Sequence, residues 1–308
     1  MCSSSELDQA YEALRKAVKT EVTAGRLERA LELSADSVTM ARQIGSEVVI
    51  DTAVCIHIGL LMARGEGHDE APKLRRILMR SSAPSVQFSA SYLLSQFHDQ
   101  QEELDKCRFY SDAALRYATL DDNLDSQAQA HNRLANLDLL ESYFDRAEQG
   151  YNQALELKSR NPDPQAPSLE TAKILSNLGY CQAVLGKTTE AFRSLTTSLR
   201  MMRSLAAAPW FHLPMLGLSF TYLEIGRYER AVRYAERALM NAEAGGSYQL
   251  TQVKNALYLL GEAEKLCGRD DRAFQCFFHL QERFYPDQPM VVDVLMATDI
   301  RKLINLMA

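Results

Sequence analysis

Cys276 and His279 stand three residues apart, a spacing that puts both on one face of a helix, with Cys267 upstream of them. Thiolate and imidazole are zinc ligands, so this trio is the nearest the chain comes to a metal site. Zinc sites pair close ligands on both arms, whereas here Cys267 falls beyond a turn and no fourth ligand is evident. The six histidines, His57, His68, His98, His131, His212 and His279, are scattered without the spacing of a catalytic motif. No glycine-rich phosphate loop follows a strand, and no segment reads as a convincing strand. These residue types predict no catalysis, no metal and no cofactor.

The chemistry left is that of binding. With 34 Lys and Arg against 40 Asp and Glu, the formal charge is −6. That balance argues against nucleic acid, because phosphate binding needs a basic face to release counterions. The stretch Lys73-Leu74-Arg75-Arg76, with Arg80, is short and reads as a solvated helix face. Six cysteines occur, without a CxxC, and Cys107, Cys181, Cys267 and Cys276 occupy or adjoin packing positions of helices. The start, Met1-Cys2-Ser3-Ser4-Ser5-Glu6, lacks an apolar signal core, and no run approaches the roughly 18–20 apolar residues of a membrane span. A reduced, cytoplasmic setting with no membrane is the expectation.

Seven small residues organise the chain: Ala30, Ala71, Cys107, Ala147, Ala191, Ala231 and Ala273, separated by 41, 36, 40, 44, 40 and 42 residues. Most close a shared phrase, as in Gly186-Lys187-Thr188-Thr189-Glu190-Ala191 and Gly226-Arg227-Tyr228-Glu229-Arg230-Ala231. Gly268–Ala273 repeats it and Gly25–Ala30 states it first. A period of this size marks a solenoid of supersecondary units, none able to bury its apolar face alone. The 308 residues also exceed the size at which one core usually stops growing.

Each period reads as two amphipathic helices joined by a tight turn. In the fifth, Ile174, Leu175, Leu178, Cys181 and Leu185 form a stripe at three- and four-residue steps. Gly186 ends that helix in the left-handed conformation, and Thr188 or Thr189 begins the next, which turns Ala191, Phe192, Leu195 and Leu199 inward. Ala191 must be small because two helices cross closely there. Breakers mark the joints: the proline-rich Asn161–Pro167, Ala206–Pro214 with the only Trp, and Ala244-Gly245-Gly246-Ser247. None is long enough to be a domain linker, so one continuous stack is expected. At the end, Val291, Leu295, Ile300, Leu303, Ile304 and Met307 predict a capping helix over 288–307.

Leu178-Gly179 followed by Gly186 and Ala191, and Leu260-Gly261 followed by Gly268 and Ala273, resemble the unit of the tetratricopeptide repeat (TPR) family. The likeness covers nearly the whole chain. Its period exceeds the commonest TPR length of about 34 residues, and is similar to the longer variants of kinesin light chains and bacterial signalling proteins. The resemblance implies an all-α, right-handed superhelix of about seven hairpins in a single domain, with repeats at approximately 8–45, 48–84, 85–120, 125–160, 168–205, 210–244 and 250–285.

In such a superhelix the first helices line a groove for an extended peptide or a partner helix. Alignment on the turn places Asn132, Arg133 and Asn136 from the fourth pair on that surface, and Lys173, Asn177 and Tyr180 from the fifth. The sixth adds Leu213, Phe220 and Leu223, and the seventh Asn255, Tyr258 and Glu262. An amide offers donor and acceptor to a ligand backbone without the desolvation cost of a charge. The competing reading is that Asn136 and Asn177 bond neighbouring helices and that Tyr180 and Phe220 are core. The clamp by which some TPR proteins grip acidic chaperone tails is not matched: Asn132 replaces its first Lys, and Leu213 and Gly217 stand where two cations belong.

The sequence therefore predicts a protein–protein interaction scaffold that binds a peptide or partner helix. The alternative is a regulatory sensor whose superhelix changes pitch on binding a small ligand or signalling peptide, with its output domain outside this chain. Self-association through the terminal helices is a third reading.

Overall fold

The computed structural model describes residues 4–67, 69–160, 168–244 and 249–302, and every regular element among them is helical. The hairpins are α1 (Ser4–Thr23) with α2 (Leu27–Ile44), α3 (Glu47–Arg64) with α4 (Ala71–Arg80), and α5 (Pro84–Gln100) with α6 (Leu104–Leu120). They continue as α7 (Leu124–Leu140) with α8 (Phe144–Ser159), α9 (Leu169–Val184) with α10 (Thr188–Ser204), and α11 (His212–Glu224) with α12 (Tyr228–Ala244). The last pair is α13 (Leu250–Leu266) with α14 (Asp270–Phe284), followed by α15 (Val291–Ala297). This is the all-α repeat architecture of a solenoid. The joint 161–167, residues 245–247 of the next joint, Cys2, His68, Leu303, Ile304 and Met307 lie outside the described residues.

The chain forms two compact units, Met1–Leu137 with Glu156–Gln165, and Asp138–Leu155 with Ala166–Ala308. In the first, Tyr11, Ala41 and Ala53 join α1, α2 and α3, and Ile58, Leu74, Val86 and Leu94 carry the core through α3, α4 and α5. Phe88, Ala114, Ala118 and Ala130 extend it to α7. In the second, Tyr151 is fully buried, Cys181 donates its thiol hydrogen to the Phe144 carbonyl at 3.1 Å, and Leu169, Ala172, Met202 and Ala207 close the N-terminal end of α9.

The hairpin turns follow one backbone pattern. Gly186 takes φ +73°, and the next N–H, of Lys187, reaches back to the Gln182 carbonyl at 2.8 Å, which satisfies an orphan carbonyl of α9. The third and fourth hairpins make the same turn without glycine. Glu102 and Ser142 take φ 57° and 63°, while the N–H groups of Glu103 and Tyr143 bond the carbonyls of His98 and Asp138 at 2.9 and 2.7 Å. The phrase fades there in sequence while its geometry persists.

All seven small residues are buried: Ala71 is 2% exposed and the other six 0%. In several hairpins the residue that faces the small one lies twelve positions earlier on the partner helix, as Ser95 faces Cys107 (Oγ to Sγ 3.4 Å) and Ser219 donates to the Ala231 carbonyl at 2.9 Å. Counting back from Ala191 and Ala273 gives Gly179 and Gly261, again small, whereas Ala30 gives Val18. A Cβ at Gly179 would come within 2.5 Å of Leu195 and 3.2 Å of the Ala191 carbonyl, and one at Gly261 within 2.3 Å of Phe277. In the third, fifth, sixth and seventh hairpins the crossings are small against small, and helix backbones approach closely for that reason.

The C-terminal segment differs from the continuous helix expected over 288–307. α15 ends at Ala297, Thr298 is extended at φ −122°, and a short 3-10 turn follows at Ile300–Lys302. The break has a local cause: Lys265 Nζ bonds the carbonyls of Leu295 (2.8 Å) and Thr298 (2.5 Å), groups that a continuing helix would use internally. Val292, Leu295 and Ile300 are buried, so the segment still covers apolar surface of the last hairpin.

Replacing Ala231 by Leu is expected to lower stability by about 1–3 kcal/mol through overpacking against Ser219. Chemical denaturation checks it, and an unchanged midpoint would contradict the close crossing.

Candidate functional site

The inner stripe of α7 is already engaged. Arg133, 7% exposed, donates to Ser95 Oγ (2.9 Å), the Ser95 carbonyl (3.1 Å), Asp99 Oδ2 (3.0 Å) and Cys107 Sγ (3.0 Å). It ties α7 to α5 and α6, with four of its five N–H donors engaged. Asn132 is half-buried and its Oδ1 is a buried acceptor without a hydrogen-bond partner. Asn136 is half-buried beside it.

In the second unit, α9, α11 and α13 pack side by side. Tyr180 and Phe220 join α9 to α11 with ring centroids 5.0 Å apart, and both are buried. They form a floor rather than a free surface, in line with the core reading. Asn255 and Tyr258 are buried on α13, and Tyr258 donates its hydroxyl to that of Tyr285 at 2.9 Å. Burial raises the Tyr258 pKa, and the Tyr285 hydroxyl adds to the effect. Tyr258, Tyr285, Met290, Val294 and Leu295 line an open apolar hollow of about 530 Å³.

Glu262 is 1% exposed and lies 2.7 Å from Lys265 Nζ, an ion pair without hydrogen-bond alignment, since neither carboxylate oxygen has a hydrogen-bond partner. The same ammonium holds the C-terminal segment, and Arg301 of that segment reaches the Leu223 carbonyl at 3.4 Å and Glu224 at 3.5 Å. Around Leu223 and Glu262 the chain's own C-terminal residues meet the surface that the alignment assigned to a partner.

The N-terminal end of α9 is arranged differently. Lys173 Nζ sits 3.4 Å above the ring centroid of Trp210 and makes no ion pair among the described residues. Burial lowers its pKa from 10.5 to about 8, opposed only by the charge of Glu170. Trp210 Nε1 is a buried donor without a partner among the described residues. The Trp210 loop is pinned: Asn241 Nδ2 donates to the Ala208 carbonyl at 2.8 Å and Gln249 Nε2 to the Pro209 carbonyl at 3.2 Å. His212 is 1% exposed, its backbone N–H bonds Asn241 Oδ1 at 2.8 Å, and burial lowers its pKa to about 4. Asn177, one turn along α9, is half-buried with an interaction of its own.

Two donors without acceptors among the described residues therefore meet in one pinned cluster. Sequence alignment marked Lys173 and Asn177 but missed Trp210, His212 and Asn241. The single Trp in a joint was the available signal. Among the described residues no three His, Cys, Asp or Glu side chains are placed to hold a metal ion, and no helix is long and apolar enough to cross a membrane.

No sequence-family profile matches the chain, and no curated protein matches it in sequence. Solved structures do match in fold. The crystal structure of a Rap protein complexed with competence and sporulation factor aligns with 97% of this chain and 79% of its own, at 12% identity and a TM-score of 0.71. A signal-transduction ATPase with numerous domains and a tetratricopeptide repeat sensor, from Pyrococcus horikoshii, aligns with 96% of this chain and 46% of its own (14% identity, TM-score 0.60). PilW, a widely conserved type IV pilus biogenesis factor, aligns with 81% of this chain and 99% of its own (20% identity, TM-score 0.55). The chain shares the all-α helical-repeat fold of these structures.

Lys173→Met is expected to raise stability at pH 7 by about 1–2 kcal/mol, because a desolvated charge is removed and only a cation–π contact is lost. The lysine's folded pKa lies below its unfolded value, so its penalty is full below pH 8 and fades as pH rises towards 10.5. The variant's advantage should shrink over the same window. Parallel denaturation of the two proteins from pH 7 to 10 checks this.

Proposed function

We propose that the protein is an interaction scaffold that binds a peptide or a partner helix along α9, with a carboxylate of the ligand at Lys173 and Trp210. The observation that carries this reading is the desolvated ammonium on the Trp210 ring, without an ion pair among the described residues. An incoming carboxylate supplies the ammonium's missing partner, and the low local polarity strengthens the bond it makes. Asn177 then presents an amide to the ligand backbone. This single-carboxylate site is distinct from the two-carboxylate clamp that Leu213 and Gly217 argue against. The fold likeness to a Rap protein solved with competence and sporulation factor supports a binding role over a catalytic one.

The alternative, a regulatory sensor, draws on a different observation: one structure of similar fold contains a tetratricopeptide repeat sensor. On that reading the ligand acts by changing how the hairpins pack, and the residues at the site are the same.

The test is affinity selection of a random peptide library with free C-terminal carboxylates on the full chain, then calorimetry on the selected peptide. Lys173→Met should weaken binding about ten- to a hundredfold, and Asn177→Ala should cost roughly 1–3 kcal/mol through an unpaired polar group. Wild-type affinity in both variants would remove the site from α9.

A further inference from the structure

α12 carries Arg230, Arg233 and Arg237 at steps of three and four residues, which sets three guanidinium groups along one exposed stripe. With Tyr222 of α11 and Tyr234 they line a cleft of about 310 Å³. Its wall is aromatic: Tyr222 and Tyr234 stack at 5.5 Å and 17°, Phe192 of α10 packs on Tyr222 at 4.9 Å, and the Arg230 guanidinium lies 5.5 Å over the Tyr222 ring. None of the three arginines makes an ion pair among the described residues. Elsewhere in the unit such groups are neutralised, as Arg269 is by Glu229 at 2.7 Å and by Glu264. Glu229, whose field reaches Arg233, is thus already held by another arginine. Glu236 is the other carboxylate on this stretch of α12, and it is exposed.

We infer that this cleft is a second docking surface, for an acidic segment of a protein partner, with anionic side chains on Arg230, Arg233 and Arg237 and an apolar side chain on Tyr222 and Tyr234. The argument is charge complementarity. Guanidinium forks match the oxygen pairs of carboxylate or phosphoryl groups, and an aromatic wall leaves them a dry side to bind against. Three such groups unpaired in a chain of net charge −6 are a local reversal of sign. A long polyanion or an anionic membrane would meet the chain's overall negative field, whereas a short acidic segment meets only the cleft. A carboxylate and a phosphorylated side chain share the chemistry required. The surface is separate from the Lys173 cluster, and the two readings stand or fall independently.

The test uses the full chain and three dye-labelled peptides of one design, a leucine flanked by glutamates, by phosphoserines or by glutamines. Fluorescence anisotropy should show binding of one or both anionic peptides, weakening as salt rises, and none of the glutamine peptide. Arg233→Gln with Arg237→Gln should weaken it about tenfold or more, with circular dichroism unchanged. The relative affinity of the glutamate and phosphoserine peptides identifies which anion the cleft takes. Equal binding of the glutamine peptide, unchanged affinity in the double variant, or no binding of either anionic peptide would overturn the inference. So would arginine-dependent binding of a short RNA or of phosphatidylserine vesicles in place of the peptides.

Discussion

The close approach of two helix backbones at each hairpin crossing is the constraint on which the rest depends. In the third, fifth, sixth and seventh hairpins it is set by a small residue in the second helix and another twelve positions earlier, as with Gly179 and Ala191 or Ser219 and Ala231. Between hairpins the same notch is used again, because Leu195 of α10 fits against both Gly179 of α9 and Gly217 of α11. Fixing Gly179 against α10 also fixes the rotation of α9. At about 100° per residue, Lys173, Asn177 and Tyr180 fall roughly 100–160° round from the crossing. The functional stripe is therefore a geometric consequence of where the small residues stand.

Placement on that stripe does not make a residue available. Arg133, Tyr180, Phe220 and Glu262 lie where the repeat puts them, yet each is taken up by helix-to-helix contacts or covered by the chain's C-terminal residues. Lys173 is the exception. Its ammonium rests on Trp210 without a counter-ion, an arrangement that lowers stability and supplies binding energy to a ligand able to complete it. Natural proteins break a local rule of this kind most often where they act.

The hairpins could be read from the sequence because their cause is local: a glycine at φ +73° ends one helix, and the alanine five residues later marks the crossing. Where Glu102 and Ser142 take the glycine's place the backbone is the same and the signal fades, since other contacts hold the strained residue. The division into two compact units was not foreseen, because no linker composition marks it. The Trp210 cluster was hidden for another reason. Asn241 and Gln249 reach it from far along the chain, and no periodicity encodes a hydrogen bond spanning 33 or 40 residues. The early end of α15 likewise depends on Lys265, a residue of another helix.

A double-mutant cycle on Gly179 and Leu195 tests the crossing most directly. A Cβ at Gly179 would sit 2.5 Å from Leu195, so Gly179→Ala alone should destabilise the protein. In a Leu195→Ala background only the 3.2 Å approach to the Ala191 carbonyl remains, and the same substitution should cost much less, since Ala favours a helix over Gly by about 1 kcal/mol. The account predicts a coupling energy of roughly 1–3 kcal/mol between the two sites. Additivity within about 0.5 kcal/mol would show that the helices do not meet there, and the placement of Lys173 and Asn177 would lose its physical basis.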